Sequence, residues 1–359
     1  MDDIYIIEDF HGMNITGILS DYESIIWNVQ FYGLDEFQII ISATEENLSR
    51  FKIGTLLCRS GDVSSNRFSN VMVVENLQMN FEIESGWKLT ISGRGIKSIL
   101  SRRVIWNQIS VENTKVIDLI SRVISENVSV SGNRKLLDVS ISYVSADFTE
   151  RTDSQLFGEN VADWMQSVCQ QYSYGWKIDI GINTSTYYLT IYKGEDRTSS
   201  GGLNSTVIFS PEFDNLLSVE YEYKNSNFAN AAIIGGEGEG SSQITDSIGT
   251  SSGLNRYEVY IDGSGVSSNG EIITLETYKK MLQEYGKLQL SDKKFAESLS
   301  GEIDSNGVYK INNDFYLGDK VEINTNRGIS GTARIIEIIY SSDESGSAVI
   351  PTFSEMEVN

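Results

Sequence analysis

The sequence predicts a mainly β protein with α+β insertions, in which one β unit is built twice. Three observations carry this expectation. Apolar and polar residues alternate with period 2 over Phe37-Gln38-Ile39-Ile40-Ile41, over 71–79 and over Trp87-Lys88-Leu89-Thr90-Ile91. Only 2 of 359 residues are proline, which suits long paired strands joined by Gly/Asn/Ser turns, because proline cannot donate to a ladder. Finally, segments near the two ends of the chain repeat one another in the same order.

Residues 1–98 read almost wholly as strand, with turns at Tyr32-Gly33, Ser60-Gly61-Asp62 and Ser85-Gly86. The pattern changes after Gly95. A short helix is expected over 96–103, then a longer one after Asn113 with Val116, Ile120, Val123 and Ile124 on one face. A third starts at Asn160, an N-cap with Asp163 at N3, and aligns Val161, Trp164, Met165, Val168 and Tyr172. Strands over 175–180 and 186–192 flank an Asn183-Thr184-Ser185 turn. Strand character returns at Val207-Ile208-Phe209, over 217–223 and over 231–234. A Ser/Gly-rich stretch to Gly270 is broken by one strand at 257–261. A helix over 275–290 then precedes a β ending, 295–358.

The repeat organises these elements. Phe51-Lys52-Ile53-Gly54-Thr55-Leu56-Leu57 resembles Phe315-Tyr316-Leu317-Gly318-Asp319-Lys320-Val321, 264 residues on. Val71-Met72-Val73-Val74-Glu75 resembles Ala333-Arg334-Ile335-Ile336-Glu337 at an offset of 262. Phe51, Gly54 and Glu75 thus correspond to Phe315, Gly318 and Glu337 as the signature of the repeated unit. Both glycines are expected where the backbone needs φ > 0 or a close approach. Upstream, 37–42 matches 295–300 loosely and 22–33 matches 228–236. The expected domains are a first β domain at 1–98, an α+β peripheral domain at 99–205, and a discontinuous second β domain at 206–236 and 295–359. A small subdomain at 237–294 is inserted at a loop, where insertions cost little.

Charge and residue counts exclude much chemistry. The formal charge of −22 repels a phosphate backbone, so specific nucleic-acid binding is disfavoured. No basic n-region with an apolar run opens the chain, and no run approaches ~18 apolar residues, so neither a signal peptide nor a membrane span is expected. Cys58 and Cys169 read as buried thiols, and His11 is the single histidine available to any triad or zinc site. Ser92-Gly93-Arg94-Gly95-Ile96-Lys97-Ser98 lacks the spacing of a phosphate loop and reads as a structural glycine turn. Gly235 to Gly240 carries Glu237 and Glu239, which would repel phosphate. Asp304-Ser305-Asn306-Gly307 and Asp262-Gly263-Ser264-Gly265 are incomplete as calcium loops and read as hairpin turns. No catalytic, cofactor or metal site is expected.

The order of segments resembles the tail-hub proteins of long-tailed phages, the siphovirus Gp37-like family, related to the baseplate hubs of contractile tails. The resemblance rests on Tyr22-Glu23-Ser24-Ile25-Ile26-Trp27 followed by Gly33 and Phe37, then Gly93-Arg94-Gly95 with Leu100-Ser101-Arg102-Arg103. It continues through Phe209-Ser210-Pro211-Glu212-Phe213-Asp214-Asn215-Leu216, Asp314-Phe315-Tyr316-Leu317-Gly318-Asp319 and Thr352-Phe353. It implies two tube-like β-barrel or sandwich domains plus two smaller peripheral domains. It further implies a virion protein made in the host cytoplasm, acting as a structural homotrimer with six quasi-equivalent β copies around an axis. Such a ring adapts a six-fold tail tube to a three-fold tip. The tail tube or distal tail protein would sit above it and a tip, fibre or spike protein below. A lytic or receptor-binding role is then expected on other proteins. The alternative is a cell-wall hydrolase with a β-rich carbohydrate-binding half, which needs a carboxyl of raised pKa in a concave site.

Overall fold

The computed structural model describes residues 3–354, apart from 8–13, 145–147, 183, 185, 202–203, 225–226, 269–272, 292, 294–295, 305–306, 326 and 329. His11, Asn183, Ser185, Phe295 and Ser305-Asn306 lie outside the described residues. The first β unit comprises β1 (Ile4–Ile7), β2 (Ile15–Leu19), β3 (Ser24–Gln30), β4 (Glu36–Ser42), helix α1 (Glu45–Arg50), β5 (Leu56–Arg59), β6 (Arg67–Phe68), β7 (Met72–Glu82) and β8 (Gly86–Gly95). Alternation sets the faces: Ile25, Trp27 and Val29 of β3, with Phe37, Ile39 and Ile41 of β4, point into one core. Thr44 caps α1 by accepting a hydrogen bond from the Asn47 N–H. The ladder runs β3-β4-β8-β7-β5-β1-β2.

The peripheral unit follows a 3₁₀ segment, Ile96–Arg102, where sequence periodicity suggests a helix. It contains β9 (Ile109–Lys115), α2 (Val116–Asn127), β10 (Asp138–Val144), β11 (Arg151–Leu156), α3 (Val161–Tyr172), β12 (Gly175–Gly181) and β13 (Thr186–Tyr192). Asn160 caps α3, its side-chain oxygen accepting from the N–H groups of Ala162 and Asp163. The apolar stripes of α2 and α3 close over a shared core with Trp176, Ile178, Leu189 and Ile191. The sheet order β10-β13-β12-β6 shows that this unit borrows a strand from the first.

The chain then forms β14 (Ile208–Phe209), β15 (Glu220–Lys224), β16 (Ala231–Gly235), β17 (Thr245–Ile248), β18 (Glu258–Asp262), α4 (Leu275–Ser291), β19 (Ala296–Ser300), β20 (Lys320–Asn324), β21 (Ser330–Asp343) and β22 (Gly346–Phe353). β15-β19-β22-β21 continues into β20, the same order as β3-β4-β8-β7-β5. The irregularities match too. A bulge falls between Val74 and Asn76 in β7, and another between Ile335 and Glu337 in β21.

Two expectations are corrected. Residues 231–235, expected in the second β unit opposite 22–33, form the centre of a separate sheet, β17-β16-β18. Ala232 and Ile234 of β16 share a core of their own with Tyr278, Met281 and Leu282 of α4, which comes close at Gly286, where a Cβ would lie 2.7 Å from Ile234. The counterpart of β3 is β15. Second, the β units are not two separate barrels. β21 pairs antiparallel with β3, from Glu337–Gln30 to Ser342–Ile25, so both units share one 13-stranded sheet, and the described strands form no closed barrel.

Candidate functional site

The signature residues fall into two sets, one per β unit. Phe51 is buried at the C-terminus of α1, and Phe315 is buried edge-on to the Phe209 ring at 5.3 Å. Gly54 has φ +92° and donates its N–H to the Val74 carbonyl at 2.8 Å. Gly318 has φ +98° and donates to the Ile335 carbonyl at the same distance. Val74 and Ile335 each immediately precede a bulge. Glu75 is itself the bulged residue and forms a bidentate pair with Arg94, at 2.7 and 2.9 Å. In β21 the bulged residue is Ile336, so Glu337 stands one position further on. There it accepts from the Asn28 amide at 2.5 Å and from the Thr352 hydroxyl at 2.8 Å. Glu337 therefore belongs to the joint between the two units, while Glu75 sits away from it.

That joint is where three parts of the chain converge, and Phe31 is its centre. Phe31 is fully buried, and its N–H donates to the Ile336 carbonyl. Its ring packs edge-on to Tyr192 of the peripheral unit at 5.3 Å and lies 5.6 Å from the Arg334 guanidinium of the second β unit. The Trp176 indole donates to the Tyr32 carbonyl at 2.6 Å. Leu317 and Tyr340 pack against the cores of both β units.

A cleft of about 550 Å³ opens beside this joint, lined by Asp35, Asp62, Lys97, Trp176, Asp319 and Tyr340 among others. Its buried charges are paired. Lys97 lies 2.7 Å from Asp35 and donates to the Gln30 carbonyl, and the Gln30 N–H donates to Asp35. Arg59 pairs with Asp62 at 2.8 Å and lies 3.4 Å from the Tyr340 ring centre. Arg197 pairs with Asp319, which also accepts from the N–H groups of Glu195 and Tyr316. Burial pushes the Asp35 carboxyl up, and Lys97 partly opposes this. A raised carboxyl is what a glycosidase acid needs, but Asp35 is 3% exposed and spent on Lys97 and the Gln30 N–H, so it has no face to offer a polysaccharide.

None of these ion pairs is singled out by the sequence, where Lys97 and Arg197 stand far from their partners. Lys97 stands in the Gly-Arg-Gly-Ile-Lys-Ser segment, which forms the end of β8 and the start of the 3₁₀ segment rather than the expected glycine turn, and Asp319 stands in the repeat motif; those positions are their one visible signal. Both cysteines are buried, and burial pushes both thiols far up. Ellman's reagent should label neither thiol in the folded protein and both in denaturant. Native-state labelling would show that one of these cores opens. Among the described residues no three His, Cys, Asp or Glu side chains are grouped so as to hold a metal ion.

The sequence itself decides the relationship. A family model described as Siphovirus ReqiPepy6 Gp37-like protein matches residues 4–353. The chain belongs to the siphovirus Gp37-like family. Its fold is that of phage tail proteins. It resembles the tail protein from Neisseria meningitidis MC58, with 12% identity, a TM-score of 0.57, and 99% and 96% of the two chains covered. The 43 kDa tail protein of prophage MuSo2 from Shewanella oneidensis gives 12%, 0.59, 99% and 98%. Prophage tail protein gp18 from Listeria monocytogenes EGD-e gives 12%, 0.55, 100% and 96%. A comparison with curated proteins finds no match. No helix among the described residues is long and apolar enough to cross a membrane.

Proposed function

We propose that this family member is a structural hub at the tail tip of a long-tailed phage, three copies forming a ring around the tail axis. The observation that carries this reading is the strand order found twice in one chain, since two β units in each of three copies give six similar positions. Such a ring would meet a six-fold tube or distal tail protein on one side and a three-fold tip, fibre or spike on the other. The role is structural, requires no cofactor, and belongs to the virion after synthesis in the host cytoplasm. The Phe31 joint, with its buried ion pairs, would hold the two β units of each copy at a fixed angle.

Charge supports a passage for the genome. Three copies of a −22 chain carry −66, enough excess to line an axial channel with carboxylates. DNA carries one negative charge per ~1.7 Å of helix axis and would slide past such a wall rather than adhere to it. Mass photometry of the full chain should give three times 40.0 kDa, and no duplex DNA should be retained at physiological salt. A stable monomer would sink the hub reading. Measurable DNA binding would sink the acidic channel.

A further inference from the structure

A chain with 50 acidic and 28 basic residues carries a face of the opposite character on its peripheral unit. Residues 103–107 run antiparallel to 158–161, the Ile105 N–H donating to the Glu159 carbonyl and the Gly158 N–H to the Ile105 carbonyl. Ile105 is fully buried, so by alternation its neighbours Val104 and Trp106 turn outward. Trp106 is 59% exposed, and Phe157, just before the facing segment, is 64% exposed.

Asn127, buried at the end of α2, ties this segment to the 3₁₀ turn Gly132–Arg134. Its side-chain oxygen accepts from the Trp106 backbone N–H at 3.0 Å and from the Arg134 guanidinium at 3.4 Å. Arg134 in turn lies 4.7 Å from the centre of the Trp106 ring. Arg103 holds the turn from beneath, donating to the carbonyls of Arg102, Arg134 and Lys135. Four cations, Arg102, Arg103, Arg134 and Lys135, thus gather around an exposed indole. Two carboxylates stand near them. Asp138 pairs with Lys135 at 2.6 Å, and half-buried Glu159 accepts from the Phe157 N–H. Arg103 and Arg134 form no ion pair among the described residues.

We propose that this face docks a short acidic segment of a second, different protein, an apolar side chain of that segment resting on Trp106 and its carboxylates pairing with Arg134 and Lys135. Trp and Arg dominate binding energy at protein interfaces, and here the Asn127 and Arg103 hydrogen bonds have already ordered both, which lowers the entropy lost on docking. Charge selects the partner. A long polyanion such as duplex DNA would run off the cluster onto a chain of net charge −22, whereas a short acidic segment ends within it. Two copies meeting about a two-fold axis would set these cations against one another, so a symmetric self-contact is disfavoured. The inference does not depend on how many copies form the hub.

Fluorescence anisotropy of the full chain with a short labelled peptide of alternating Glu and Leu tests this, beside the same peptide with Gln in place of Glu. The Glu peptide should bind, lose affinity as salt is added, and outbind the Gln peptide. Trp106→Ala and Arg134→Ala should each weaken it about tenfold with unchanged circular dichroism. Lys135→Glu, at an exposed position that leaves the Asn127 contacts alone, should weaken it at least as much. Lys280→Ala removes one positive charge from exposed α4 and should change affinity less than about twofold. No binding of the Glu peptide at millimolar concentration, equal binding of the Gln peptide, or an equal loss in Lys280→Ala overturns the proposal. Displacement of the peptide by duplex DNA at physiological salt would make the cluster a phosphate site instead. A change of oligomeric state in the Trp106 and Arg134 variants by mass photometry would make another copy of this chain the occupant, and either result overturns the assignment to a second protein.

Discussion

Gly318→Val should destabilise the chain by about 3–5 kcal/mol, while Gly54→Val, at the matching place in the first β unit, should lose only about 1–2 kcal/mol. Both glycines hold a left-handed backbone, with φ of +98° and +92°, so a β-branched residue is strained at either. Their surroundings differ. A Cβ on Gly54 meets nothing within 4 Å, whereas one on Gly318 would lie 2.3 Å from the Phe31 ring. Phe31 cannot retreat, because Tyr32 and Tyr192 pack against its ring. Denaturant melts of the two variants under the same conditions measure the difference. Equal losses would mean that backbone strain accounts for everything and that the Phe31 contact adds nothing.

Lys97→Met should be as severe, with a loss of about 3–5 kcal/mol at neutral pH, because it strands the Asp35 carboxylate in the interior. The loss should depend on pH in a definite direction. Burial already raises the folded-state pKa of Asp35, and removing the cation raises it further. A carboxyl raised in the folded state contributes full stability below its unfolded value of about 3.9 and loses it as pH climbs through the folded value. The variant's deficit should therefore shrink on acidification towards pH 5. Adding Asp35→Asn should recover most of the stability at neutral pH. The amide keeps an acceptor for the Gln30 N–H and offers a donor to the Gln30 carbonyl that Lys97 leaves. Denaturant melts at neutral pH and near pH 5 test both statements. A deficit that grows on acidification would contradict the assignment of the stranded charge.

Local patterns made much of the fold legible in the sequence. Strand alternation around Phe37 and Ile91, the Asn160 cap and the Val116–Ile120–Val123 stripe each involve residues within one helix or one strand. The repeat was visible wherever apolar spacing is preserved, as from Phe51 to Leu57. It misled where alternation is shared by unrelated strands. Residues 231–235 are apolar like β3, whereas β15 reads Glu-Tyr-Glu-Tyr-Lys and keeps its likeness to β3 only in its pairing. A bulge cannot be read from letters, so Glu75 and Glu337 look equivalent although the ladders make Ile336, not Glu337, the counterpart of Glu75. The ion pairs were invisible for another reason: Asp35 and Lys97 are 62 positions apart, and Arg197 and Asp319 are 122 apart. Only the folded chain brings each pair together.

The pairing of β3 with β21 also sets a timetable for synthesis. Gln30 leaves the ribosome roughly 300 residues before Glu337, and at about 5–20 residues per second the wait lasts on the order of 15–60 s. Throughout that interval Ser24–Gln30 has β4 on one side and an open row of N–H and C=O groups on the other. Several ribosomes on one message hold chains of different lengths side by side, and the longest of them carry a freshly made β21. A leading chain can thus give its β21 to the β3 of a trailing one, a swap that uses the native contact between the wrong molecules.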